Sequence, residues 1–411
     1  MLFFGFASGL PFLLVAGTLA YWLKERGIEL KDITVIASAG MTYAFKFLWA
    51  PLLDHWRVPG FARLGQRRGW LLFAQLGILA GLLAMAALTP AALPAFVAAT
   101  LVVAFLGATQ DIAVDAYRIE IAPLESQGAL VATYSLGYRI ALIVTGAVAL
   151  IMADHVAWPV VYATMAGAML IPIATTLLAR EPEVPRVRPA RWSAATHESV
   201  VAPFTDFFRR YGWTLALATL LFILLFKIPE QATIGGIMSP FYRDMGFSKT
   251  EIGTITKVYG IWIGIVGVFL GGAAVARWGV GRTFAAAIVL CGGSNLFYLF
   301  LIAHPGNLAV LTAVISAENL TLGFLGPPTV AFLSSLVNRQ HTGTQYALLS
   351  SLVNLPGKLI GIFAGGIVTG SGYGAYFILT VLSIAPAIGL FAFVWPRLRA
   401  HQLAQASQAP G

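Results

Sequence analysis

Charged side chains are scarce in this chain, and their scarcity excludes whole classes of protein. Only 10% of its 411 residues are Asp, Glu, Lys or Arg, whereas 58% are hydrophobic. Soluble globular proteins carry about 25% charged residues, so this sequence has too little polar surface to face water. Soluble enzymes, nucleic-acid-binding domains and disordered proteins are therefore excluded together, and a polytopic membrane protein is indicated.

Cysteine is nearly absent, and no histidine falls inside a predicted span. The single cysteine, Cys291, cannot form an intrachain disulfide. All six histidines fall in predicted loops or in the tail, so any proton carrier inside the membrane has to be a carboxylate. The longest loop contains no metal-ligand spacing, phosphate-binding glycine loop or nucleophile elbow, and we expect neither a cofactor nor an enzyme.

Long apolar segments fill most of the sequence. Because a bilayer-crossing helix needs about 20 apolar residues, the segments predict twelve spans at 2–23, 33–53, 70–89, 95–117, 128–152, 159–179, 213–236, 252–275, 283–303, 308–333, 345–369 and 375–395. A Pro- and Arg-rich linker separates the sixth span from the seventh. The prediction is an all-α membrane protein with two pseudo-symmetric six-helix bundles, 1–179 and 213–395, a cytoplasmic linker 180–212 and a cytoplasmic tail 396–411.

The basic residues predict the orientation. Of the 26 Lys and Arg residues, 16 lie in one alternating set of connections, which includes the linker and the tail, and five lie in the other set. Cytoplasmic loops of membrane proteins are enriched in Lys and Arg. We therefore expect both termini and the linker on the cytoplasmic side.

Eight charged residues fall inside the predicted spans. A charge at the bilayer centre costs about 2.5–3.5 kcal/mol, so such residues face a polar cavity or pair with one another. Spans 3, 6, 9 and 12 contain none. The eight are Lys46, Asp111, Asp115, Arg139, Lys227, Glu230, Glu318 and Lys358.

Two of these acids are candidates for a proton carrier. Asp111 and Asp115 are four residues apart, which places both carboxylates on one face of a helix. Two carboxylates this close favour sharing a proton and titrate as a unit. A structural pair between Asp115 and Arg118 remains the alternative for Asp115. Glu230 and Glu318 are the other acidic candidates for proton coupling.

Glycine and arginine recur in two corresponding loops. After span 8 the chain reads Gly271-Gly272-Ala-Ala-Val-Ala-Arg277-Trp-Gly279-Val-Gly-Arg282, and after span 2 it has Asp54, Arg63, Gly65, Gln66, Arg67 and Arg68. With two halves of six spans, this pattern resembles the cytoplasmic loop motif of the major facilitator superfamily, although Ala276 replaces the acid in the second loop. Structural or gating roles are predicted for Asp54, Arg118, Arg277, Gly9 and Pro11, the last two at a predicted break in the first helix.

Further segments resemble the muropeptide permeases of the AmpG type within that superfamily. They are Gly5-Phe-Ala-Ser-Gly-Leu-Pro-Phe12, Lys46-Phe-Leu-Trp-Ala-Pro-Leu-Leu-Asp54, Arg67-Arg-Gly-Trp-Leu71, Ala108-Thr-Gln-Asp-Ile-Ala-Val-Asp-Ala-Tyr-Arg118, Gly246-Phe-Ser-Lys-Thr-Glu-Ile-Gly253, Glu318-Asn319 and Thr344-Gln-Tyr-Ala-Leu-Leu-Ser-Ser351. The resemblance runs from span 1 to span 11. It implies a monomeric importer of anhydro-muropeptides in a bacterial inner membrane, driven by protons.

A substrate site for an anionic sugar-peptide needs cations, neutral hydrogen-bonding groups and aromatic rings. Some of the cations must instead neutralise the intramembrane acids. The predicted substrate contacts are Lys46, Arg139, Lys227, Lys358, Gln110, Asn319, Gln345, Tyr43 and Tyr117. Two other functions stay open: a symporter for another anionic solute, such as an acetyl-CoA-like molecule or a nucleotide conjugate, and a polytopic membrane transferase.

Overall fold

The computed structural model describes residues 1–28, 36, 39, 42–88, 90–123, 126–183, 202–234, 237–338 and 340–408. Within these ranges every regular element is a helix. The chain forms two compact units. The first comprises residues 1–123, 133–201 and 337–351, and the second comprises residues 124–132, 202–336 and 352–411.

The first unit is built mainly from the first half of the chain. Its helices are α1 (Leu2–Leu14), α2 (Gly17–Glu25), α3 (Thr42–Phe45), α4 (Ala50–His55), α5 (Arg67–Leu88), α6 (Leu93–Ile121), most of α7 (Gln127–Ile143), α8 (Ala149–Ala153), α9 (Trp158–Ala168) and α10 (Leu170–Leu178). Short 3-10 turns lie at Lys46–Leu48, Ala62–Leu64 and Pro90–Ala92, and a π-helical turn at Val144–Val148 joins α7 to α8.

The second unit is built mainly from the second half. Its helices are α11 (Ala202–Leu225), α12 (Ile228–Ile234), α13 (Met238–Asp244), α14 (Lys249–Ile252), α15 (Gly260–Ser294), α16 (Phe297–Ala303), α17 (Leu308–Leu336), most of α18 (Thr342–Leu382) and α19 (Ile384–Gln408). A π-helical turn at Gly253–Tyr259 joins α14 to α15. The first turns of α18, up to residue 351, belong to the first unit.

Nine helical stretches among the described residues are long and apolar enough to cross a membrane. The longest, Gly253–Ala303, carries two predicted spans and breaks at Gly279, where φ is +77°. Helix α18 likewise breaks at Gly372, with φ of +79°, between predicted spans 11 and 12. Only glycine takes these values without strain. The predicted spans fall on described helices, except that the first part of span 2, residue 89 of span 3 and residues 235–236 of span 7 lie outside the described residues.

Aromatic side chains hold the first unit together. The Trp22 ring stacks on Trp158 at 5.9 Å and meets Phe96 edge-on at 5.1 Å. Tyr162 packs 4.7 Å from Trp22 and donates its hydroxyl hydrogen bond to the Leu14 carbonyl at 2.8 Å. One cluster therefore joins α2, α6 and α9 and fixes the end of α1.

The second unit has an aromatic centre of its own. Phe222 lies 5.7 Å from Phe284, 5.4 Å from Phe332 and 5.3 Å from Phe391, measured between ring centroids. Such pairs add about 0.5–1.5 kcal/mol beyond their burial. The cluster ties α11, α15, α17 and α19 to one another.

The predicted break at Gly9 and Pro11 is wrong in position. Helix α1 continues through Pro11 to Leu14, because Val15 N–H donates to the Pro11 carbonyl at 3.1 Å. Proline cannot donate to the carbonyl four residues earlier, which here belongs to Ala7. The Gln110 amide donates to that carbonyl at 2.6 Å, so a neighbouring helix replaces the missing bond and the break moves to residues 15–16.

Helices that carry no intramembrane charge expose large apolar side chains. They correspond to predicted spans 3, 6, 9 and 12, and their exposed residues are Phe73, Leu76, Leu83, Val160, Leu170, Ile171, Leu177, Leu178, Val289, Leu290, Phe297, Phe300, Ile378, Leu379, Leu382 and Phe393. Apolar surface on this scale is typical of membrane contact rather than of a surface in water. The helix of Asp111 and Asp115 also exposes Leu101, Val102 and Phe105, so such surface is not confined to the helices without charge.

Candidate proton and substrate site

One lysine of the first unit lies between two carboxylates of a single helix. Asp111 and Asp115 stand one turn apart on α6, and Lys46 opens the 3-10 turn that follows α3. Lys46 Nζ lies 3.4 Å from Asp115 Oδ2 and 3.6 Å from Asp111 Oδ2. Lys46 is only 8% exposed, so water screens these ion pairs little.

The two carboxylates differ in their cationic neighbours. Arg118 Nη2 lies 3.7 Å from Asp115 Oδ1, and its guanidinium stands 5.3 Å from the centre of the Tyr346 ring. Asp115 therefore contacts two cations and Asp111 contacts one. Among the described residues, Asp111 Oδ1 has no hydrogen-bond partner. The two acids therefore differ in their contacts, and the carrier role of Asp111 stays a prediction.

Two more buried polar atoms beside α6 lack partners within the described ranges. They are Tyr43 Oη and Gln110 Oε1. Tyr43 meets Phe12 edge-on at 5.7 Å, and its hydroxyl lies against the Cα of Gly107 on α6. Since buried polar atoms are almost always satisfied, these atoms and Asp111 Oδ1 mark places for water or for polar groups of a ligand.

Tyrosines of α7 belong to the same neighbourhood. The rings of Tyr134 and Tyr138 are stacked at 6.4 Å with an angle of 25°. Gly5 lies against the backbone of Tyr134, and a Cβ at Gly9 would stand 2.7 Å from the Tyr138 carbonyl. The glycines of α1 therefore let α7 approach closely and fix the position of its tyrosines.

The predicted acids of the second unit have partners. Lys227 directly precedes α12, and Glu230 lies three residues later, in the first turn of that helix. Lys227 Nζ lies 2.9 Å from Glu230 Oε1. Tyr298 donates its hydroxyl hydrogen bond to Glu318 Oε2 at 2.5 Å, and its oxygen lies 3.2 Å from the Tyr242 hydroxyl oxygen. Asn319 donates to the Ile315 carbonyl at 3.0 Å. These residues stay candidates for coupling and binding.

A buried ion network lies at one end of the first unit. Arg67, with 0% exposure, donates to Asp54 Oδ1 at 2.7 Å and to Glu120 Oε1 at 2.6 Å. It also donates to the Leu53 carbonyl at 3.0 Å. One guanidinium thus links α4, α5 and α6, as the glycine and arginine loop pattern would require.

Asp54 also caps the start of α18. Its carboxylate accepts hydrogen bonds from Gly343 N–H at 2.9 Å, Thr344 N–H at 2.7 Å and the Thr344 hydroxyl at 2.8 Å. Asp54 follows the predicted second span. Burial opposes its ionisation, but the Arg67 guanidinium and the Thr344 hydrogen bonds outweigh burial and hold the pKa of Asp54 below its usual value. A carboxylate at a helix N-terminus is favourable.

The family follows from comparison with known proteins. Residues 1–232 and residues 220–411 each match the model of the Major Facilitator Superfamily. The chain belongs to this superfamily.

Relatives place it in the AmpG-type branch and confirm the resemblance in the motifs. The chain is 36% identical to the anhydromuropeptide permease of Escherichia coli K12 over 395 residues, covering 94% of this chain and 77% of that protein. It is 32% identical to putative transporter AmpG 4 of Rickettsia conorii over 394 residues, covering 95% and 94%. This superfamily member is a multi-pass membrane transporter and not an enzyme.

Solved structures agree on the fold. The proton:xylose symporter XylE bound to 6-bromo-6-deoxy-D-glucose matches with a TM-score of 0.67 and 14% identity, covering 96% of this chain and 94% of that chain. The human organic anion transporter MFSD10 matches with a TM-score of 0.63 and 17% identity, covering 95% and 97%. The predicted facilitator fold is therefore confirmed.

Four other predicted site residues lie on described helices, and the side chain of a fifth lies outside the described residues. Gln345 Oε1 accepts a hydrogen bond from Asn338 N–H at 2.7 Å. This bond links the segment before α18 to the first turn of that helix. Tyr117 is buried edge-on to Phe4 at 5.1 Å. Arg139 is half-buried on α7, and Arg277 is exposed on α15. The side chain of Lys358 lies outside the described residues.

Sequence reasoning missed Glu120, Glu181 and Tyr298. Glu120 sits two residues beyond Arg118, at the end of α6, and its partner Arg67 is 53 residues away. Glu181 looks like an ordinary linker residue. The only usable signal for Glu120 was its place beside a basic loop that needed a buried acid.

Proposed function

We propose that this transporter imports anhydro-muropeptides together with protons across a bacterial inner membrane, with both termini in the cytoplasm. The similarity to the anhydromuropeptide permease of Escherichia coli supports the substrate. The excess of Lys and Arg in one set of loops supports the orientation. The Lys46–Asp111–Asp115 arrangement carries the proposal of proton coupling.

The charge balance of this cluster explains how a proton and an anion can be linked. Lys46 and Arg118 together carry two positive charges, which Asp111 and Asp115 balance while both are ionised. Protonation of Asp111 leaves one excess positive charge and weakens the hold on Lys46. The cluster then attracts an anionic solute, and loss of the proton restores neutrality and releases it.

Polar groups around the cluster suit a sugar-peptide. A substrate carboxylate can pair with Lys46 once Asp111 is protonated. Hydroxyl and amide groups of the substrate can meet Tyr43 Oη and Gln110 Oε1, which lack partners among the described residues. Sugar rings can pack on Tyr134 or Tyr138. These contacts recognise charge and hydrogen-bonding groups together, as a muropeptide would require.

Transport by the purified protein tests the proposal. Proteoliposomes with an acidic exterior should accumulate labelled GlcNAc-anhydro-MurNAc-peptide above its external concentration, and a protonophore should abolish the accumulation. Unlabelled muropeptide should compete, whereas acetyl-CoA and nucleotide sugars should not. Stronger competition by either of these solutes would favour a symporter for another anion, and an uptake that ignores the gradient would contradict coupling.

A further inference from the structure

A cavity of about 620 Å³ lies at one end of the second unit, far along the chain from the charged cluster. Its wall is formed by α15 around the break at Gly279 and by the part of α19 that contains Trp395, Arg399 and Gln402. The side chains that matter for its chemistry are Trp278, Arg282, Trp395 and Arg399. The wall therefore offers two guanidinium groups and two indole rings.

Both arginines of this cavity are available to a ligand. Arg282 and Arg399 are exposed, and neither forms an ion pair or hydrogen bond with another residue in the described ranges. Nearby Arg397 differs, because its guanidinium donates to the Phe393 carbonyl at 2.8 Å and lies 3.8 Å from the Phe393 ring centre. The cavity wall therefore carries two cations that have no partner among the described residues.

The first unit shows what an equivalent loop binds. The order Gly-x-x-Arg occurs in both loops, at residues 65–68 and at residues 279–282. Both glycines have a positive φ, +99° at Gly65 and +77° at Gly279. In the first unit the Glu181 carboxylate accepts hydrogen bonds from the backbone N–H groups of Gln66 at 2.6 Å, Arg67 at 2.8 Å and Arg68 at 2.9 Å. An internal anion therefore fills that loop.

Arg68 is also engaged in the first unit. It donates to the Thr176 carbonyl at 2.9 Å and to the Leu177 carbonyl at 2.7 Å, at the end of α10. Its counterpart Arg282 makes no such contact among the described residues. The same loop is therefore complete in one unit and lacks its anion in the other.

The second half of the sequence cannot supply that anion from the corresponding position. Glu181 follows the last helix of the first unit, whereas α19 presents Arg397 and Arg399 there. After Glu318 the chain contains no Asp or Glu at all. Among the described residues no carboxylate contacts this loop, so a ligand could supply the anion of the second unit.

We propose that this cavity binds a phosphate group, carried by an anionic phospholipid headgroup or by a soluble phosphate. Arginine matches phosphate because its planar fork gives two parallel charge-assisted hydrogen bonds. Tryptophan is enriched at the depth of lipid headgroups, and basic pockets on the cytoplasmic side of membrane proteins bind such headgroups. The site is independent of the Lys46 cluster and of the transported solute.

Binding of two probes to the full-length protein tests the site. Native mass spectrometry would count phosphatidylglycerol molecules retained from mixed micelles, with phosphatidylcholine as the neutral lipid. Inorganic phosphate would be titrated against the thermal unfolding of the protein in phosphatidylcholine nanodiscs. Selective retention of phosphatidylglycerol identifies a headgroup site, and stabilisation by phosphate alone identifies a soluble ligand; both outcomes support the cavity.

Four single substitutions give the contrast. Arg282→Ala and Arg399→Ala should each weaken the probe that binds by about tenfold or more, whereas Arg397→Ala removes the same charge outside the cavity and should leave affinity unchanged. Arg399→Glu supplies an internal carboxylate, so it should abolish binding of either probe without lowering the unfolding temperature. Equal affinity in all four variants, or an equal loss in Arg397→Ala, would overturn the proposal.

Discussion

Lys46 connects the proton site to the solute in our account, because its ammonium group pairs with Asp111 and Asp115 at 3.6 and 3.4 Å. It neutralises the acids when they are ionised and becomes available to a substrate carboxylate when Asp111 is protonated. The same side chain therefore serves two partners in turn. Its charge, rather than its bulk, is what the mechanism needs.

Replacing that charge should change affinity for charged substrate in particular. We expect Lys46→Gln to weaken binding of the muropeptide about 10- to 150-fold, the equivalent of a charge-assisted hydrogen bond of about 1.5–3 kcal/mol. An analogue with amidated carboxylates should lose much less. Binding at fixed pH to folded protein provides the measurement, and an equal loss for both ligands would assign Lys46 to structure alone.

Arg67 makes a different prediction, one about stability. Arg67→Met would leave Asp54 and Glu120 buried without their cation, which typically costs about 3–5 kcal/mol. We expect a clearly lower unfolding temperature in detergent. Arg63→Met is the matched control, because Arg63 is exposed in the same loop; equal melting of both variants would remove the buried network from the stability of the first unit.

For single residues, the sequence predicted which charged side chains share one face of a helix. The relation of Asp111, Asp115 and Arg118 needed only the period of an α-helix. The pairing of Lys46 with these acids did not follow, because it joins residues 69 positions apart. The hydrogen bond from the Gln110 amide to the Ala7 carbonyl, which Pro11 leaves free, could not be predicted either. It depends on how two helices pack.

Helix contacts of the first unit depend on glycine where α1 meets α7. Gly5 lies against the backbone of Tyr134, and Gly137 of α7 lies against the backbone of Leu2. Any side chain at these positions would force the helices apart. The tyrosines that face the charged cluster are therefore positioned by residues with no side chain of their own.

Gly5→Ala should accordingly disturb both stability and binding. Its Cβ would clash with the Tyr134 backbone, whereas a Cβ at Gly17 would find its nearest neighbour at 3.5 Å, an ordinary contact. We expect a lower unfolding temperature and weaker muropeptide binding for Gly5→Ala and little change for Gly17→Ala. Unaltered binding in Gly5→Ala would show that close packing of α1 and α7 does not shape the site.

Glu181 gives a prediction for the start of α5. Its carboxylate accepts from three backbone N–H groups, so Glu181→Gln should destabilise the protein by about 1 kcal/mol, as loss of a helix cap does. Glu183→Gln changes the same charge at an exposed linker position and should have no effect. Thermal unfolding of both variants provides the comparison, and a larger effect at Glu183 would contradict the cap.

Hydropathy predicted the elements well because a bilayer sets the length of each helix. Hydropathy could not locate every position at which a helix is interrupted. Gly279 and Gly372 separate spans where loops were expected, since each adopts a conformation open to glycine. Pro11 sits inside a helix, because a partner on α6 satisfies the carbonyl that proline leaves free. Local sequence does not reveal such compensation.

Across the whole molecule, the two halves of the sequence share a plan but differ in their charges. The first unit groups Lys46, Asp111, Asp115 and Arg118, whereas the second unit holds Glu318 through Tyr298 and pairs Glu230 with Lys227. Fold and family could be predicted from apolar spans and motifs. Which of the charges pair with one another could not, because that depends on distances between spans far apart in the sequence.

Transport by Asp111→Asn tests the central claim most directly. In proteoliposomes, this variant should lose accumulation driven by a pH gradient, because asparagine cannot release a proton, yet keep counterflow exchange of preloaded labelled muropeptide. Asp154→Asn, at an exposed position between α8 and α9, should keep both activities. Gradient-driven accumulation by Asp111→Asn at the level of the unaltered protein would contradict the account.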